Sequence, residues 1–454
     1  GEGSEVELFG EAITIDTDNA SGTGGAVTFP ETVEADDNNA TLTITSGAGK
    51  VTFDGIVGGT SGDELGGLAI NSTAGSGIIE LAQIGHSTDA RGGVIGTVAI
   101  GNTDTTQIDF EGAIYKFDGA TTITGETGTS DGVIDFTAGA ATTLTTYEDT
   151  LKFVGGTIDL DASTNLTITS LGGAIEIEGI RGDSSETISI SADKGAAGSD
   201  VETVLIGEGG IGELNQILTV DITAADGITL EGDIITSNGG ENANVTLTGK
   251  TFISGDVTID TDNADEDGVI KFTSTVDSKS GSTGNLTILA GDTDDNGGID
   301  FEGIIGGTTA LGTLNINATA GTVAITVPQI GTGNNDGAAD NGKGAGATSI
   351  GNATSGDITL SATGVDTEYN FSGNTIFKSG GSIKFTAADP KIDTDGEGST
   401  LDFEAGIILA DTADLTLTTE DGAITVAAIS GTAENATTDV TINSGSANTT
   451  LGGA

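Results

Sequence analysis

Hydrophobic and polar residues alternate along almost the whole chain. Aliphatic or Phe residues occupy every second position in short runs, as at Leu166 and Ile168 or at Ile424 and Val426, and the positions between them are mostly Thr, Asp, Glu or Ser. Successive side chains of a β-strand point to opposite faces, so this period of two indicates strands with one buried and one solvent-exposed face. No stretch shows the period of an amphipathic helix. The sequence therefore predicts an almost entirely β protein.

Turn-forming residues separate the predicted strands. Gly, Asn, Asp and Ser cluster between runs that begin again about every 10 to 15 residues, and these residue types supply tight turns and positive φ angles. Short strands at even spacing are typical of a β-sandwich array or a β-solenoid. A further regularity is the order Phe, acidic residue, Gly, which begins at Phe53, Phe110 and Phe301. We interpret it as a corner where a strand ends and Gly permits the chain to bend.

The chain carries a long internal repeat. The segment AITIDTDNA at residues 12–20 returns as DVTIDTDNA at residues 256–264, and the segments that follow return in the same order. The offset drifts only from 244 at this segment to 254 between Tyr115 and Tyr369. A drift this small indicates short insertions in turns while the order of strands is kept.

The repeat favours a solenoid over a set of sandwich domains. A sandwich module of ~100 residues should repeat at about that length, whereas this repeat is about 245 residues long and contains many similar strands. Ile, Val, Leu and Phe recur at the same strand positions, as they would in stacked coils. We therefore predict an all-β, elongated, right-handed parallel β-helix (β-solenoid) built from a tandem super-repeat. Residues 1–250 would form the first super-repeat, and residues 251–454 the second, incomplete one, continuing the same solenoid.

Composition narrows the chemistry. The 454 residues include no Cys, Met or Trp, so disulfides, thiolate nucleophiles and thiolate metal sites are excluded. The 69 acidic and 13 basic residues give a formal net charge of -56, which repels phosphate backbones and anionic lipids. No apolar run approaches the ~18 to 20 residues of a membrane-spanning helix. We expect no nucleic-acid partner and no membrane insertion, with cations as the natural ligands.

One acidic turn has the spacing of the calcium ligands in an EF-hand loop. In DTDGEGSTLDFE, the residues Asp393, Asp395, Glu397 and Glu404 occupy positions 1, 3, 5 and 12, with Gly398 at position 6. Calcium prefers six to eight oxygen ligands, which closely spaced carboxylates and backbone carbonyls supply. These four acidic residues are therefore candidate calcium ligands, although no flanking helix is predicted.

A second acidic turn is similar to the first. In DTDDNGGIDFE, the residues Asp292, Asp294 and Asn296 occupy the same early positions, while Glu302 arrives one residue early. Asp and Asn also favour turns for conformational reasons, and acidic turns keep a long β protein soluble. The sequence thus leaves two explanations of both turns, calcium binding and solubility. The predicted fold itself requires no cofactor.

Catalytic candidates are few. His86 is the sole His and lies in the turn IGHSTDARGG, while Thr332 takes its place in the second copy. Arg91 and Arg181 are the two Arg residues, fewer than a lyase acting on acidic polysaccharides usually needs around its substrate. Paired carboxylates would suit a glycosidase, but acidic residues are too common here for any pair to stand out. We expect the protein not to be an enzyme.

Several strand and turn strings resemble a known class of surface protein. GAVTF, ATLTITSGAGKVTFDGIVGG, NLTITSLGGAIEIEGI and DLTLTTEDGAITVAAISG are similar to the strand repeats of large bacterial surface proteins of the filamentous-haemagglutinin and autotransporter-adhesin kind. The resemblance extends over the whole chain and is carried by composition and by the rhythm of strands and turns. It implies a right-handed parallel β-helix outside the cell, and a role in extracellular display, adhesion or matrix building.

These observations predict a structural protein at a bacterial cell surface. We expect a β-solenoid subunit or segment of a filament, sheath or matrix that assembles end to end with itself or with a neighbouring surface protein. Strand patterns reach almost to both ends of the sequence, and uncapped strands template further pairing. One alternative is an adhesin stalk that presents turns such as residues 331–346 to glycans or neighbouring cells. Another is a β-helix enzyme that processes glycans.

Overall fold

The computed structural model divides into two compact units, Gly1–Ile228 and Thr229–Ala454. The part of the chain that it describes contains β-strands and no helix. The described residues are 5–18, 23–36, 40–86, 92–126, 134–147, 149–183, 185–192, 201–213, 215–236, 243–262, 268–291, 298–317, 319, 322–332, 344–362, 367–432 and 438–452.

The strands are short, and most have three to seven residues. Those of the first unit are β1 (Glu5–Leu8), β2 (Ala12–Asp16), β3 (Val27–Phe29), β4 (Thr32–Ala35), β5 (Thr41–Thr45), β6 (Val51–Val57), β7 (Gly67–Ile70), β8 (Ile79–Ile84), β9 (Val98–Ile100), β10 (Ile108–Phe110), β11 (Ile114–Phe117), β12 (Thr121–Thr124), β13 (Ile134–Phe136), β14 (Thr142–Thr146), β15 (Leu151–Val154), β16 (Ile158–Leu160), β17 (Leu166–Ser170), β18 (Ile175–Arg181), β19 (Thr187–Ala192), β20 (Thr203–Ile211) and β21 (Thr219–Ala224).

The division between the units falls within β22 (Gly227–Leu230). The strands of the second unit are β23 (Ile234–Ile235), β24 (Val245–Thr248), β25 (Thr251–Ile253), β26 (Asp256–Asp260), β27 (Val269–Phe272), β28 (Val276–Ser278), β29 (Asn285–Leu289), β30 (Gly298–Phe301), β31 (Leu311–Ile316), β32 (Ile325–Val327), β33 (Ala345–Ile350), β34 (Ile358–Leu360), β35 (Thr367–Phe371), β36 (Thr375–Phe377), β37 (Ile383–Phe385), β38 (Pro390–Thr394), β39 (Leu401–Leu409), β40 (Leu415–Thr419), β41 (Ile424–Gly431), β42 (Val440–Asn443) and β43 (Thr449–Leu451).

The strands pair in parallel, and apart from the first and last strands described, they pair with strands from the coil before and the coil after them. Paired residues in one ladder lie as close in sequence as Ile168 and Ile190 and as far apart as Ile330 and Tyr369. One coil therefore takes up about two to three dozen residues, and its length varies through its turns. The predicted all-β parallel β-solenoid is confirmed. The length of the super-repeat stays a prediction.

Each coil of the first unit contributes to three ladders. The first ladder runs through β1, β4, the ends of β6 and β8, β11, β14, β17, β19 and β21. The second runs through β2, β5, β7, β9, β12, β15 and the first halves of β18 and β20. The third runs through β3, the starts of β6 and β8, β10, β13, β16 and the last residues of β18 and β20.

The second unit has the same plan. One ladder contains β24, β27, β30, β32, β34, β37 and the last parts of β39 and β41. Another contains β25 and β28, single bridges at Ile305 and Ile330, and then β35, β38, β40 and β42. The third contains β23, β26, β29, β31, β33, β36, the first parts of β39 and β41, and β43.

The order Phe, acidic residue, Gly marks corners, as its sequence pattern indicated. In β6 the pairing with β8 shifts register between Phe53 and Ile56, so the chain turns from the third ladder into the first at Gly55. A Cβ atom at Gly55 would overlap the backbone of Glu31 in the preceding coil. Glycine is therefore required here by the close approach of two backbones.

Like side chains stack on one another along the inside of each unit. The rings of Phe110 and Phe136 stack 4.8 Å apart, and those of Phe272 and Phe301 stack at the same distance. These rings and the inward Ile, Leu and Val residues are buried, and full burial of one such side chain stabilises the fold by about 1.5 to 3 kcal/mol. The alternation of the sequence thus becomes a continuous column of apolar side chains within each unit.

Candidate functional site

The first predicted calcium turn begins inside a strand. Asp393 is the fourth residue of β38 and Asp395 follows the strand directly, and their side chains lie on the same side of the chain, joined by a hydrogen bond. Burial, the charge of Asp395 and a hydrogen bond with it raise the pKa of Asp393 to about 6, and the charge of Glu368 adds to this. The two aspartates therefore form a close carboxyl pair in which a proton or a cation relieves repulsion.

The other two residues of that turn do not join this pair. Glu397 is exposed in the turn, and Glu404 is exposed in β39, where its carboxylate forms an ion pair with Lys378 at 2.7 Å. Nowhere in the described part of the chain do three or more His, Asp, Glu or Cys side chains gather closely enough to hold a metal ion. Calcium binding at this turn stays a prediction. Asp292, Asp294 and Asn296 of the second turn lie outside the described residues.

A stack of carboxylates that sequence reasoning missed follows the third ladder of the first unit. Glu80 of β8, Asp109 of β10, Asp135 of β13 and Asp159 of β16 are in register on four successive coils, and Arg181 of β18 comes next. We call the four acidic residues the acidic ladder. Neighbouring members are about 4.7 to 4.9 Å apart at the backbone, a spacing at which like charges destabilise a sheet.

Polar partners offset part of this repulsion. The side-chain amide of Gln107 donates hydrogen bonds to Asp109 and to Asp135, each at 2.8 Å. Arg181 forms an ion pair with Asp159 at 2.7 Å, and Lys50 forms one with Glu80 at the other end. Cationic side chains thus hold both ends of the acidic ladder.

Asp135, in the middle of the acidic ladder, has a strongly raised pKa. Burial, followed by the charges of Asp159 and Asp109, raises the pKa of Asp135 to about 6, and the hydrogen bond from Gln107 acts against this rise. One oxygen of the Asp135 carboxylate is buried with no hydrogen-bond partner in the described residues. A signal for this stack was present in the sequence, where Asp follows Ile in the strings IDF, IDF and IDL of β10, β13 and β16.

A polar cavity of about 470 Å³ lies beside the end of the acidic ladder. The neighbouring turns are joined by Glu186, which is buried and accepts hydrogen bonds from the backbone N–H groups of Ser163 at 3.0 Å and Asp183 at 2.6 Å. Burial alone would raise the pKa of Glu186, but hydrogen bonds from Ser185, Asp183 and Ser163 lower it below its ordinary value. The residues lining the cavity are Gly139, Asp159, Leu160, Asp161, Ala162, Gly182, Asp183 and Asn215.

The residues considered for catalysis are not brought together by anything in the described structure. His86 is half-buried just after β8, whereas Arg181 is held by Asp159 in the third ladder. Arg91 lies outside the described residues. The expectation that the protein is not an enzyme therefore stays a prediction.

The first strands of the first unit and the last strands of the second unit differ from the others in their pairing. In the described residues, β1, β2 and β3 each pair on one side only, with β4, β5 and β6. Among the described residues of the second unit, β42 pairs only with β40 and β43 only with β41. Each of these strands has one edge whose N–H and C=O groups can receive another parallel strand.

Apolar side chains are exposed next to these edges. Leu451 in β43 is 60% exposed and Val440 in β42 is 40% exposed, while Phe9 after β1 is 65% exposed. A small hollow of about 200 Å³ beside Leu451 is lined by Val426, Ala428, Ile429, Leu451 and Gly452.

Comparison with known proteins adds no relative. No protein-family model, no curated protein and no solved structure matches this chain. Within the described residues there is no helix long and apolar enough to cross a membrane.

Proposed function

We propose that this chain is a structural β-solenoid segment of a bacterial cell-surface filament, sheath or matrix, and that copies of it assemble end to end. The single observation that carries the proposal is that, within the described residues, β1, β2 and β3 and likewise β42 and β43 pair on one side only, so further coils, of a longer chain or of a second copy, can continue the pairing. The surface location rests on the resemblance of the strand repeats to bacterial surface proteins.

Open strand edges and exposed apolar side chains favour further pairing. Each unpaired edge presents a row of backbone N–H and C=O groups that a second parallel strand satisfies. Stacking another coil on Val440 and Leu451 would also remove apolar surface from water, which contributes about 25 cal/mol per Å². The partner we propose for this edge is the first coil of a second copy.

The strand patterns at the two ends are compatible. In β42 the apolar residues Val440 and Ile442 alternate with polar residues, and in β2 the half-buried Ile13 and Ile15 alternate with Thr and Asp. A copy placed so that β2 extends β42, and β3 extends β43, continues both the apolar columns and the parallel pairing.

Charge favours a head-to-tail arrangement over a pairing of two like ends. The N-terminal coil carries Glu5, Glu7, Glu11 and Asp16, whereas residues 438–452 contain one charged residue, an Asp. A joint between the two different ends therefore brings an acidic surface against a nearly neutral one. Dissolved cations weaken the remaining repulsion between exposed acids within a Debye length of about 8 to 10 Å.

The test uses a charge at the open edge and a matched control. Val440→Lys places an ammonium group in the apolar column of β42, and Val154→Lys changes the same residue type at nearly the same exposure, 41% against 40%, within β15. Electron microscopy and light scattering should show filaments or oligomers for the unchanged chain and for Val154→Lys, and monomers for Val440→Lys. The proposal is contradicted if the unchanged chain stays monomeric at high concentration. It is also contradicted if the two variants form filaments or oligomers to the same extent.

The location is tested separately. Antibody labelling of intact cells should detect the protein on the outer surface, and labelling seen only after the cells are opened contradicts a surface role. The adhesin alternative assigns ligand contacts to residues 331–346, of which residues 333–343 lie outside the described structure. That alternative and the glycan-processing alternative stay predictions.

A further inference from the structure

One side of the first unit carries a regular array of hydroxyl groups. It is formed by the outward residues of β14, β17, β19 and β21 in the first ladder, and they occupy two columns. One column contains Thr143, Thr167 and Ser189, and the other contains Thr145, Thr169, Ser191 and Thr223. We call these seven residues the hydroxyl face.

The array is regular in two directions. The four strands pair with no register shift, unlike β6 with β8 or β18 with β20, where the chain bends at a corner. Rows are therefore separated by the strand spacing of about 4.7 to 4.9 Å, and the two columns by two residues, about 6.5 to 7 Å. The hydroxyl face is thus a small two-dimensional lattice.

The lattice is held rigidly from below. The residues that alternate with it point inward, and Leu144, Ile168, Ile190 and Ile222 are buried and stacked on one another. Close-packed interiors resist deformation. Thr is β-branched and stiff at χ1, so its hydroxyl and methyl groups are fixed in direction before any partner arrives. Ser lacks this restriction, so the hydroxyl groups of Ser189 and Ser191 in β19 rotate more freely.

The hydroxyl face is neutral in a strongly acidic protein. Its two columns are bounded by Lys116 in β11 and by Asp221 in β21, and none of the seven residues is charged. Within the described structure, their hydroxyl groups form no hydrogen bond and remain available to a partner. The acidic ladder lies on another ladder of the same unit, so charge and hydroxyl groups are segregated.

We infer that the hydroxyl face binds ice. A partner must be recognised through hydrogen bonds and shape, because the seven residues carry no charge and the net charge of -56 repels anions. It must also repeat in two dimensions at spacings close to those of the face. Ordered water at an ice surface meets both conditions, since its oxygen atoms form a lattice of comparable repeat that hydroxyl groups can join while the Thr methyl groups fill the spaces between them.

Other occupants fit less well. The seven residues include no aromatic side chain, and a flat neutral polysaccharide surface is usually held by rings stacked on its sugars. A second copy would be commensurate with the face, but seven residues in four rows bury only on the order of 200 Å², well below the ~800 Å² per partner of a stable complex. The inference is independent of end-to-end assembly.

The experiment compares a variant expected to lose ice binding, a variant expected to gain it and a control. The double variant Thr167→Lys with Thr169→Lys breaks the centre of both columns, and the double variant Ser189→Thr with Ser191→Thr completes them. Thr359→Lys is the control, because Thr359 is also an outward mid-strand Thr but pairs with Lys384 in a charged ladder of the second unit. Ice recrystallisation and the shape of single ice crystals are measured for each, and circular dichroism checks the fold.

The unchanged chain and Thr359→Lys should shape ice crystals and slow their recrystallisation. The Lys double variant should need at least about tenfold more protein for the same effect, equivalent to about 1.4 kcal/mol, and the Thr double variant should need less. If the Lys variant does not fold, the gain expected of the Thr variant still decides the matter. Round, freely recrystallising ice with the unchanged chain overturns the inference, and so does binding to crystalline cellulose or self-association that the Lys variant abolishes.

Discussion

The side-chain amide of Asn352 donates a hydrogen bond to the backbone carbonyl of Asn317, 2.7 Å away, and the amide of Asn102 makes the same bond to Asn71. Asn317 in turn donates to the carbonyl of Ala290 and accepts from its N–H, at 2.6 and 2.8 Å. These amides link corners of successive coils in each unit.

Replacing Asn317 should therefore be costly. Its φ is +46°, and the corresponding Asn71 has φ +48°. Asn317→Ala removes both bonds to Ala290. It also leaves alanine in the left-handed region, where no side-chain hydrogen bond offsets the strain. We therefore expect a loss of about 2 to 4 kcal/mol in the free energy of unfolding. Asn317→Gly should cost less because glycine accepts positive φ. Chemical denaturation measures both. Asn448→Ala is the exposed control and should change the free energy of unfolding by no more than about 0.5 kcal/mol.

Two buried tyrosines provide a matched pair for hydrogen bonding. The hydroxyl of Tyr115 donates to the carbonyl of Leu81 and accepts from the N–H of Gly112, both at 2.7 Å, while Tyr369 accepts one bond from Ala362 at 3.0 Å. Tyr115→Phe leaves the N–H of Gly112 unpaired and removes one of the two bonds to the carbonyl of Leu81, which still accepts from the N–H of Glu111 at 3.0 Å. It should cost about 2 to 3 kcal/mol, against about 1 to 2 kcal/mol for Tyr369→Phe. Equal losses in denaturation would contradict this assignment of partners.

Stability should increase on mild acidification. The pKa values of Asp135 and Asp393 in the folded protein are raised to about 6 from an ordinary value of 3.8. The folded state therefore binds protons more readily than the unfolded state, and its free energy of unfolding rises as pH falls from 7 through about 6 toward 4. With solvent screening, the gain is about 1 kcal/mol per group.

Removing the charge of Asp135 tests the same point. Asp135→Asn should raise the free energy of unfolding at pH 7 and flatten its rise between pH 7 and pH 5, since the repulsion from Asp109 and Asp159 is then absent. Asp104→Asn, an exposed turn substitution, should leave the pH profile unchanged. Thermal unfolding followed at several pH values measures both. A stability that falls between pH 7 and pH 5 contradicts the prediction.

Two glycines of one coil should respond oppositely to the same change. A Cβ atom at Gly303 would overlap the backbone of Ser274 and Thr275, whereas a Cβ atom at Gly298 would meet no atom within 4 Å. Gly303→Ala must shift a backbone and should cost about 2 to 4 kcal/mol, near the upper range of single substitutions. Gly298→Ala should be neutral or stabilising by about 0.4 to 1 kcal/mol, because it restricts the unfolded chain. Denaturation of the two variants side by side measures the difference.

The sequence predicted the fold because the alternation of residues such as Leu144 and Thr145 fixes which side of a strand is buried. The same pattern, together with Gly at Phe, acidic residue, Gly corners, indicated where coils turn. It could not fix which residues of different coils are in register, because turn lengths set this and they vary from coil to coil. The acidic ladder and the hydroxyl face were missed for that reason, since both arise only when distant strands are aligned.

The calcium turn shows another limit of spacing arguments. Asp393, Asp395, Glu397 and Glu404 have the intervals of an EF-hand loop, but the chain between them is a strand end, a turn and a second strand. Ligand intervals have their usual meaning only when the backbone curls around one centre. Here Glu404 lies along β39 beside Lys378, so sequence intervals alone do not indicate convergence of the four carboxylates.

Each coil pairs only with the coil before it and the coil after it. Within either unit, therefore, the pairing of one coil does not depend directly on coils farther away. Removing or duplicating one whole coil would rejoin the same kinds of strand and leave more distant coils untouched. Length is thus a quantity that such a chain can change in discrete steps during evolution, while damage to one coil stays confined to its neighbours.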